Sequence, residues 1–504
     1  MYTFSSKLKT FSIILMAVGI LGIGYGFLTA PKNIEEVETL LAKEASEHGG
    51  GHGEAATAHH EESHEAVHHE EASQVAHKEV TDSHSEISAS KDSVVAKEEI
   101  AHEVKSEEAH TVAHKEVKDG GHGDVSEEHD PKAHAEHVLH QLQNKPWSAL
   151  YVACIFFLLL SMGVLAFYAI QQVAQAGWSP VLFRVMQGIT AYLPAGSIIF
   201  FIILVLCGLH FNHIFVWLGK GVTVAGDPNY DAIIAGKSGY LNFPFWIVRA
   251  FIFLLGWNLY RIYSRKNCLA QDEANDDLYY KKNFKLSAGF LVFFIVSESI
   301  MSWDWIMSFD PHWFSTLFGW YVFASFFVSG ITAIALVTIY LKSKGYLEYV
   351  NTSHIHDLAK FMFGISVFWT YLWFSQFMLI WYANIPEEVT YFVTRIQLYN
   401  LPFFGAVVMN FVFPLLILIN TDFKRLSWVI VMAGVIILLG HYVDFFNMIM
   451  PGTVGDRWFI GVSEIASILF FLGLFIFVVF NALSKAPLLA KRNPFIEESK
   501  HFHY

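Results

Sequence analysis

The amino-acid sequence predicts an all-α polytopic membrane protein with about ten transmembrane helices. Of its 504 residues, 54% are hydrophobic and only 16% are charged, which is too apolar for the surface of a soluble protein. The apolar residues come in runs of about twenty, the length of a helix that crosses a bilayer. Such runs are too long and too continuous for the strands of a membrane barrel. These observations exclude a soluble globular enzyme.

The first apolar run follows Lys7 and Lys9 and resembles a signal peptide. It is long enough to span a membrane, however, and Pro31 would hinder cleavage after Ala30, so we expect an uncleaved anchor. Nine further runs follow it. The predicted spans are Phe11–Ala30, Ser148–Ile170, Ile189–Leu209, Phe243–Tyr263, Leu286–Trp303, Leu317–Tyr340, Leu358–Ile380, Pro402–Ile419, Trp428–Phe446 and Gly461–Phe480.

A long polar segment, Pro31–Pro146, separates the first two runs. It carries 27 acidic and 10 basic residues, whereas the rest of the chain carries 19 and 23. It has no Phe, Trp or Tyr, and it holds 17 of the 25 histidines. Such a composition cannot bury enough apolar surface to offset the entropy of ordering, so we expect a disordered linker. The predicted domains are an N-terminal transmembrane helix (1–30), the linker (31–146), a nine-helix membrane domain (147–484) and a cytoplasmic tail (485–504).

Basic residues predict the orientation. With the N-terminus in the cytoplasm, the predicted cytoplasmic segments and span ends carry 18 Lys and Arg, and the external loops after the linker carry four. This partition agrees with the positive-inside rule. We therefore expect both termini in the cytoplasm and the linker on the outside.

The three cysteines, Cys154, Cys207 and Cys268, form no CxxC or CxxCH pattern. Covalent haem, iron–sulfur clusters and zinc ribbons therefore lack their ligands. Only His441 lies well inside a span, with His210 at the end of another, so a pair of imidazoles for b-type haem is not expected either. The sequence predicts a chain with no metal of its own.

A group of six charged or titratable residues lies in the outer half of the membrane, within or at the ends of the predicted spans. Intramembrane charges are costly and usually face protein or water. We interpret this group as a quinone site or a proton route, with pure structural pairing as the alternative. Its members are Arg249, Glu298, Asp304, His441, Asp444 and Glu464.

Arg249 should meet an acid, because an unpaired arginine inside a span costs about 2.5–3.5 kcal/mol at the helix centre. We expect one connected network, in which another carboxyl group has no cation and exchanges protons. His441 and Asp444 are three residues apart and share a helix face. We expect no comparable polar group in the cytoplasmic half.

An aromatic external loop, Trp303–Trp313, contains no lysine or arginine. Trp303, Trp305 and Trp313 fit an interfacial aromatic belt or a docking surface for a partner protein. The segment Trp381–Glu388 admits the same two interpretations.

Two long segments resemble one family. SESIMSWDWIMSFDPHWFSTLFGWY (Ser297–Tyr321) and FWTYLWFSQFMLIWYANIPEE (Phe368–Glu388) are similar to the ActF-type membrane subunit of bacterial alternative complex III, and the similarity runs from about Trp147 to the C-terminus. That family is related to the NrfD-like, polysulfide-reductase-type membrane subunits. The resemblance implies a core of two four-helix bundles and no redox cofactor in this chain.

The resemblance also implies a location and a function. We expect the chain in the inner (cytoplasmic) membrane of a bacterium, with the linker in the periplasm. The complex oxidises quinol, menaquinol being one candidate, and passes electrons towards cytochrome c or a terminal oxidase. Implied partners are iron–sulfur, haem c and sister NrfD-like subunits, together with lipids but no nucleic acid. Two alternatives stay open: a secondary transporter, for which the charges lie too near the surface, and a purely structural membrane subunit.

Overall fold

A computed structural model describes residues 2–48 and 131–503, which form helices and turns without a strand. Within these residues, ten helical segments are long and apolar enough to cross a membrane, which confirms the predicted all-α polytopic fold. The helices are α1 (Ser6–Thr29), α2 (Ile34–His48), α3 (Pro131–Val173), α4 (Phe183–Ile189), α5 (Leu193–Gly208), α6 (Ala232–Gly236), α7 (Phe243–Gln271), α8 (Leu278–Trp305), α9 (Phe318–Ser343), α10 (Thr352–Ala383), α11 (Pro386–Leu398), α12 (Asn400–Val407), α13 (Phe413–Leu418), α14 (Ser427–Val454), α15 (Val462–Leu483) and α16 (Ile496–Lys500).

Helix α3 lies at the centre of the molecule. In its most apolar stretch, 94% of the residues are buried, the largest share among the ten spans. It packs on α5 and α8, and α7 packs on both of these helices to complete one group of four. Helix α3 also contacts α9, α14 and α15. The second group consists of α9, α10, the pair α12–α13, and α14. The two groups agree with the expected pair of four-helix bundles.

The outward faces of the spans are apolar, as contact with lipid requires. Phe251, Val292 and Phe374 expose more than half of their side chains, although each lies within a long apolar helix. In water these contiguous surfaces would be costly. Their positions on the perimeter of both bundles fit a hydrocarbon environment.

The predicted linker was too wide at both ends. Helix α2 covers Ile34–His48, and α3 begins at Pro131 rather than at the apolar run. Val37 packs against Ala135 and Val138 in a small cluster of its own, which stabilises both helical extensions. Acidic residues in the first turn of α2 also suit a helix N-terminus. Residues 49–130, where the rest of the predicted disorder falls, lie outside the described residues.

Helices α1 and α15 pack closely through glycines. A side chain at Gly19 would meet the Phe470 backbone nitrogen at 2.5 Å, and one at Gly22 would meet the Ala466 Cβ at 2.5 Å. Small residues let the backbones of two membrane helices approach, so that van der Waals contact holds them together. The first span is thereby joined to the last.

The loops form two opposite faces. The terminal face carries both ends of the described chain, and the linker face carries the segments that flank residues 49–130. On the terminal face, Thr3 Oγ1 lies 3.0 Å from the Tyr346 hydroxyl, and Ser499 Oγ donates to the Trp178 carbonyl at 2.7 Å. On the linker face, Gln143 donates to the Pro31 carbonyl at 3.2 Å. Both chain ends thus meet the same set of loops, as an even number of spans requires.

Candidate functional site

The most completely built polar centre surrounds Asp444, in the second bundle. The carboxylate is 2% exposed and accepts hydrogen bonds from Ser325 Oγ at 2.9 Å, Trp369 Nε1 at 2.9 Å and the Tyr321 hydroxyl. Three helices supply these groups: α14 carries the acid, α9 carries Tyr321 and Ser325 one turn apart, and α10 carries Trp369. Donors on two sides hold the carboxylate in place.

No lysine or arginine of the described chain lies within ion-pair distance of Asp444. The nearest basic group is His441, whose Nδ1 is 3.8 Å from the carboxylate and 3.0 Å from Ser325 Oγ. The imidazole is fully buried, and its ring packs edge to face against Trp369 with centroids 5.4 Å apart. His441 Nε2 has no hydrogen-bond partner among the described residues.

Several buried polar atoms near His441 also have no partner in the described part of the chain. Asn410 lies in a π-helical turn, Val408–Val412, and packs directly on Gly440. Both polar atoms of its side chain are unpaired, as is the hydroxyl of Ser366 on α10. Thr332 packs on Gly434, two turns closer to the terminal face, and its hydroxyl is unpaired too. Buried polar groups of this kind usually bind water.

On the linker-face side, Arg395 lies one helical turn beyond Asp444. Its Nε donates to the Asn447 carbonyl at 3.0 Å and a terminal nitrogen donates to the Tyr391 carbonyl at 2.8 Å. The guanidinium lies 3.3 Å from the centre of the Tyr391 ring. A cavity of about 70 Å³ lies beside it, lined also by Asp310. This arginine supplies positive charge between Asp444 and the linker face.

Arg249 makes the carboxylate pair that the sequence predicts. Its Nε donates to Asp304 Oδ2 at 2.7 Å and a terminal nitrogen donates to Oδ1 at 2.9 Å. The guanidinium also lies 4.0 Å from the ring centre of Tyr240 and 4.2 Å from that of Phe245. Asp304 is fully buried, so the two-bond pair joins α7 to α8 within the first bundle.

The other two candidates have separate surroundings. Glu298 is buried, and among the described residues it accepts from the hydroxyls of Ser299 at 3.2 Å and Ser302 at 3.4 Å and has no cation in contact. Glu464 caps its own helix, accepting the Gly461 N–H at 2.8 Å. Its environment suits a helix N-terminus.

The expected single network is therefore wrong within the described residues. Hydrogen bonds and ion pairs divide the six candidates into four places: Arg249 with Asp304, Asp444 with His441, Glu298 alone and Glu464 alone. The first pair joins α7 to α8, whereas the second lies on α14 in the other group of helices. Similar depth in the membrane did not imply proximity.

A polar cluster in the half of the membrane near the terminal face was not predicted. The hydroxyl of Tyr168 on α3 receives hydrogen bonds from four side chains at 3.1–3.2 Å. They are Gln172, Gln187, Ser264 and Asn283. Beside it, Arg184 is buried and donates to Asp272 at 2.5 Å. The expectation that this half lacks a comparable polar group is wrong.

The tryptophans of the aromatic loop are not a free docking surface. Trp305 is fully buried and packs against the ring of Phe200. Trp313 is also buried, and its indole donates to the Glu388 carbonyl at 3.2 Å. Trp303 is half-buried. In contrast, Trp381 and Tyr382 are exposed and stay available for an interface.

No protein-family model matches this chain, and no curated protein matches it either.

Proposed function

We propose that this multi-pass membrane protein is a subunit of a quinol-oxidising respiratory complex of the alternative complex III type. It holds no redox cofactor of its own and gives the complex a scaffold and a proton-exchanging centre at Asp444 and His441. One observation carries the proposal: the two segments that resemble the family meet at this centre. The first segment, Ser297–Tyr321, ends at Tyr321, whose hydroxyl donates a hydrogen bond to Asp444. The second, Phe368–Glu388, has Trp369 as its second residue, and the Trp369 indole also donates to Asp444.

The surroundings of Asp444 suit a group that gains and loses a proton. Within the described residues, the carboxylate has hydrogen-bond donors but no lysine or arginine in contact, so hydrogen bonds rather than a fixed cation stabilise it. Tyr321 and Ser325 are hydroxyl groups that can both donate and accept. His441 provides a second exchangeable site one turn away, with a ring nitrogen left for a water molecule or a quinol hydroxyl.

The unpaired atoms of Thr332, Ser366 and Asn410 suggest how protons reach this centre. Water bound to them would extend the polar path from His441 towards the terminal face. Tyr321 and the cavity beside Arg395 lie on the opposite side, towards the linker face. We propose that protons enter from the terminal face past Thr332, Ser366 and Asn410. They would leave towards the linker face past Tyr321 and the cavity beside Arg395.

Purification tests membership of the complex. The chain, isolated in mild detergent, should retain partner chains that contain haem c and iron–sulfur clusters, and it should retain quinone. A secondary transporter would purify alone and colourless. Absorption spectra and mass spectrometry of the purified material distinguish these outcomes.

Substitution tests the site within the purified complex. Asp444→Asn and His441→Phe should leave the complex assembled but slow quinol oxidation, by about tenfold or more if proton transfer is lost. Tyr442→Phe is the matched control, because its buried hydroxyl has no partner in the described chain and it lies on the same helix. Normal turnover in both site variants would leave Asp444 and His441 with a structural role only.

A further inference from the structure

A second site lies at the linker face, apart from Asp444. A cavity of about 1000 Å³ opens between the start of α3, the segment after α5 and the end of α14. Two pairs of histidines with the same spacing line it: His137 and His140 on α3, and His210 and His213 after α5. The rings of His140 and His213 meet edge to face, 5.3 Å apart.

The walls of this cavity are held rigidly. Asn144 on α3 donates to the carbonyls of His213 at 3.2 Å and Thr453 at 3.3 Å, and its Oδ1 accepts the His213 N–H at 3.1 Å. One side chain thus ties all three walls together. His210 has a φ of 59°, a left-handed conformation that costs energy for a residue other than glycine. The imidazoles are therefore placed by the backbone.

Basic side chains predominate in this lining. Within the described residues, none of the four imidazoles donates or accepts a hydrogen bond, and Lys220 adds a cation to the same lining. Among the described residues of the lining the only acid is Asp231, which is already engaged. Its Oδ1 accepts the N–H groups of Ile233 and Ile234, and its Oδ2 lies 2.6 Å from His312 Nε2.

Neighbouring basic groups affect His213. Partial burial lowers the pKa of His213, and the neighbouring His140, His210 and Lys220 lower it further. An anion bound between these side chains would offset their mutual repulsion.

We propose that this histidine cavity binds a phosphate group, either as a free phosphate ion or as the headgroup of an anionic lipid at the linker-face end of the spans. Several oxygens on one phosphate can accept from imidazoles on opposite walls and from Lys220. A metal ion fits less well. No group of three or more His, Cys, Asp or Glu side chains in the described chain is placed to hold one.

The test uses the full chain in nanodiscs. Protein in phosphatidylcholine nanodiscs is titrated with phosphatidylglycerol in one arm and with inorganic phosphate in the other. The charge of phosphatidylglycerol does not change between pH 6.0 and 7.5. Any effect of pH on its binding therefore comes from protonation of the protein. Phosphatidylglycerol retention should be about threefold higher at pH 6.0 than at pH 7.5, because histidine protonates over this range. Native mass spectrometry measures the retained lipid.

His140→Gln/His213→Gln should reduce binding about tenfold, since charge-assisted hydrogen bonds are lost. The fold should survive, because these side chains make no described hydrogen bond. If the double variant has a different melting temperature from the unsubstituted protein, ligand binding is compared in Lys220→Gln instead. The control is His501→Gln/His503→Gln on the terminal face.

Lipid binding alone assigns a headgroup, and phosphate binding alone assigns a free ion. Failure of both ligands, or equal binding by the double variant, overturns the proposal.

Discussion

Buried charged side chains in the described helices are stabilised either by an opposite charge or by neutral hydrogen-bond donors. The two kinds of site respond differently to substitution. The guanidinium of Arg249 is neutralised by Asp304 through two hydrogen bonds. The carboxylate of Asp444 instead receives three neutral donors. Removal of one member of a charged pair strands the other in a low-dielectric environment, whereas loss of one neutral donor leaves the rest in place.

Arg249→Leu should therefore destabilise the membrane domain strongly, by about 3–5 kcal/mol, because it leaves Asp304 buried without a cation. Thermal unfolding of the purified chain, or its yield in the membrane, measures the effect. Arg249→Leu/Asp304→Leu should recover part of the loss, since neither charge is then buried. A double variant no more stable than Arg249→Leu would show that the pair is not the source of the effect.

Charged site residues could be predicted from the sequence, but their uncharged partners could not. Arg249 and Asp304 stand out because ionised side chains are rare within apolar runs. Tyr321 and Trp369 do not, since aromatic residues are common at membrane interfaces whether or not they hold an acid. Tyr168 was missed for the same reason. Only the packing of helices shows that these side chains point inward.

At the scale of helices, the apolar runs predicted ten spans but not their polar extensions. Helix α3 continues well before the apolar run because Ala135 and Val138 pack against α2. That contact joins segments about one hundred residues apart, so no local pattern reveals it. The lengths of the spans were set by the membrane, whereas the ends of α2 and α3 depend on tertiary contact.

The packing of α1 on α15 gives a prediction with a matched control. Gly19→Leu should weaken this contact, because its side chain would meet the backbone of Phe470. Gly24→Leu, on the same helix, should have little effect, since no atom lies within 4 Å of an added Cβ. Cysteine cross-linking between Gly22 and Ala466 measures helix proximity in both backgrounds. Equal cross-linking in the two variants would contradict close glycine packing.

At the scale of the whole molecule, the terminal face should lie in the cytoplasm. The 18 to 4 partition of basic residues motivates this orientation. Reporter fusions after Lys500 should be active in the cytoplasm, and insertions into residues 49–130 should report the opposite side. Reports from the same side would show that the first span is cleaved or that one span fails to insert.

We also expect the membrane domain to assemble without most of the linker. Deletion of Gly49–Asp130 removes an acidic, histidine-rich segment without aromatic residues, while α2 and the start of α3 keep their mutual contact. Gel filtration and co-purification of partner chains measure assembly. Loss of both after the deletion would assign the segment a direct role in assembly.

The contact between α1 and α15 has a consequence for biogenesis. About 430 residues separate the end of the first span from the start of the last. At a synthesis rate of about 5–20 residues per second, α1 waits in the lipid for roughly 20–90 s before its partner leaves the ribosome. During that interval Gly19 and Gly22 face lipid or a chaperone, and quality-control proteases can recognise the incomplete bundle. Closure of the contact between α1 and α15 thus waits for the synthesis of α15.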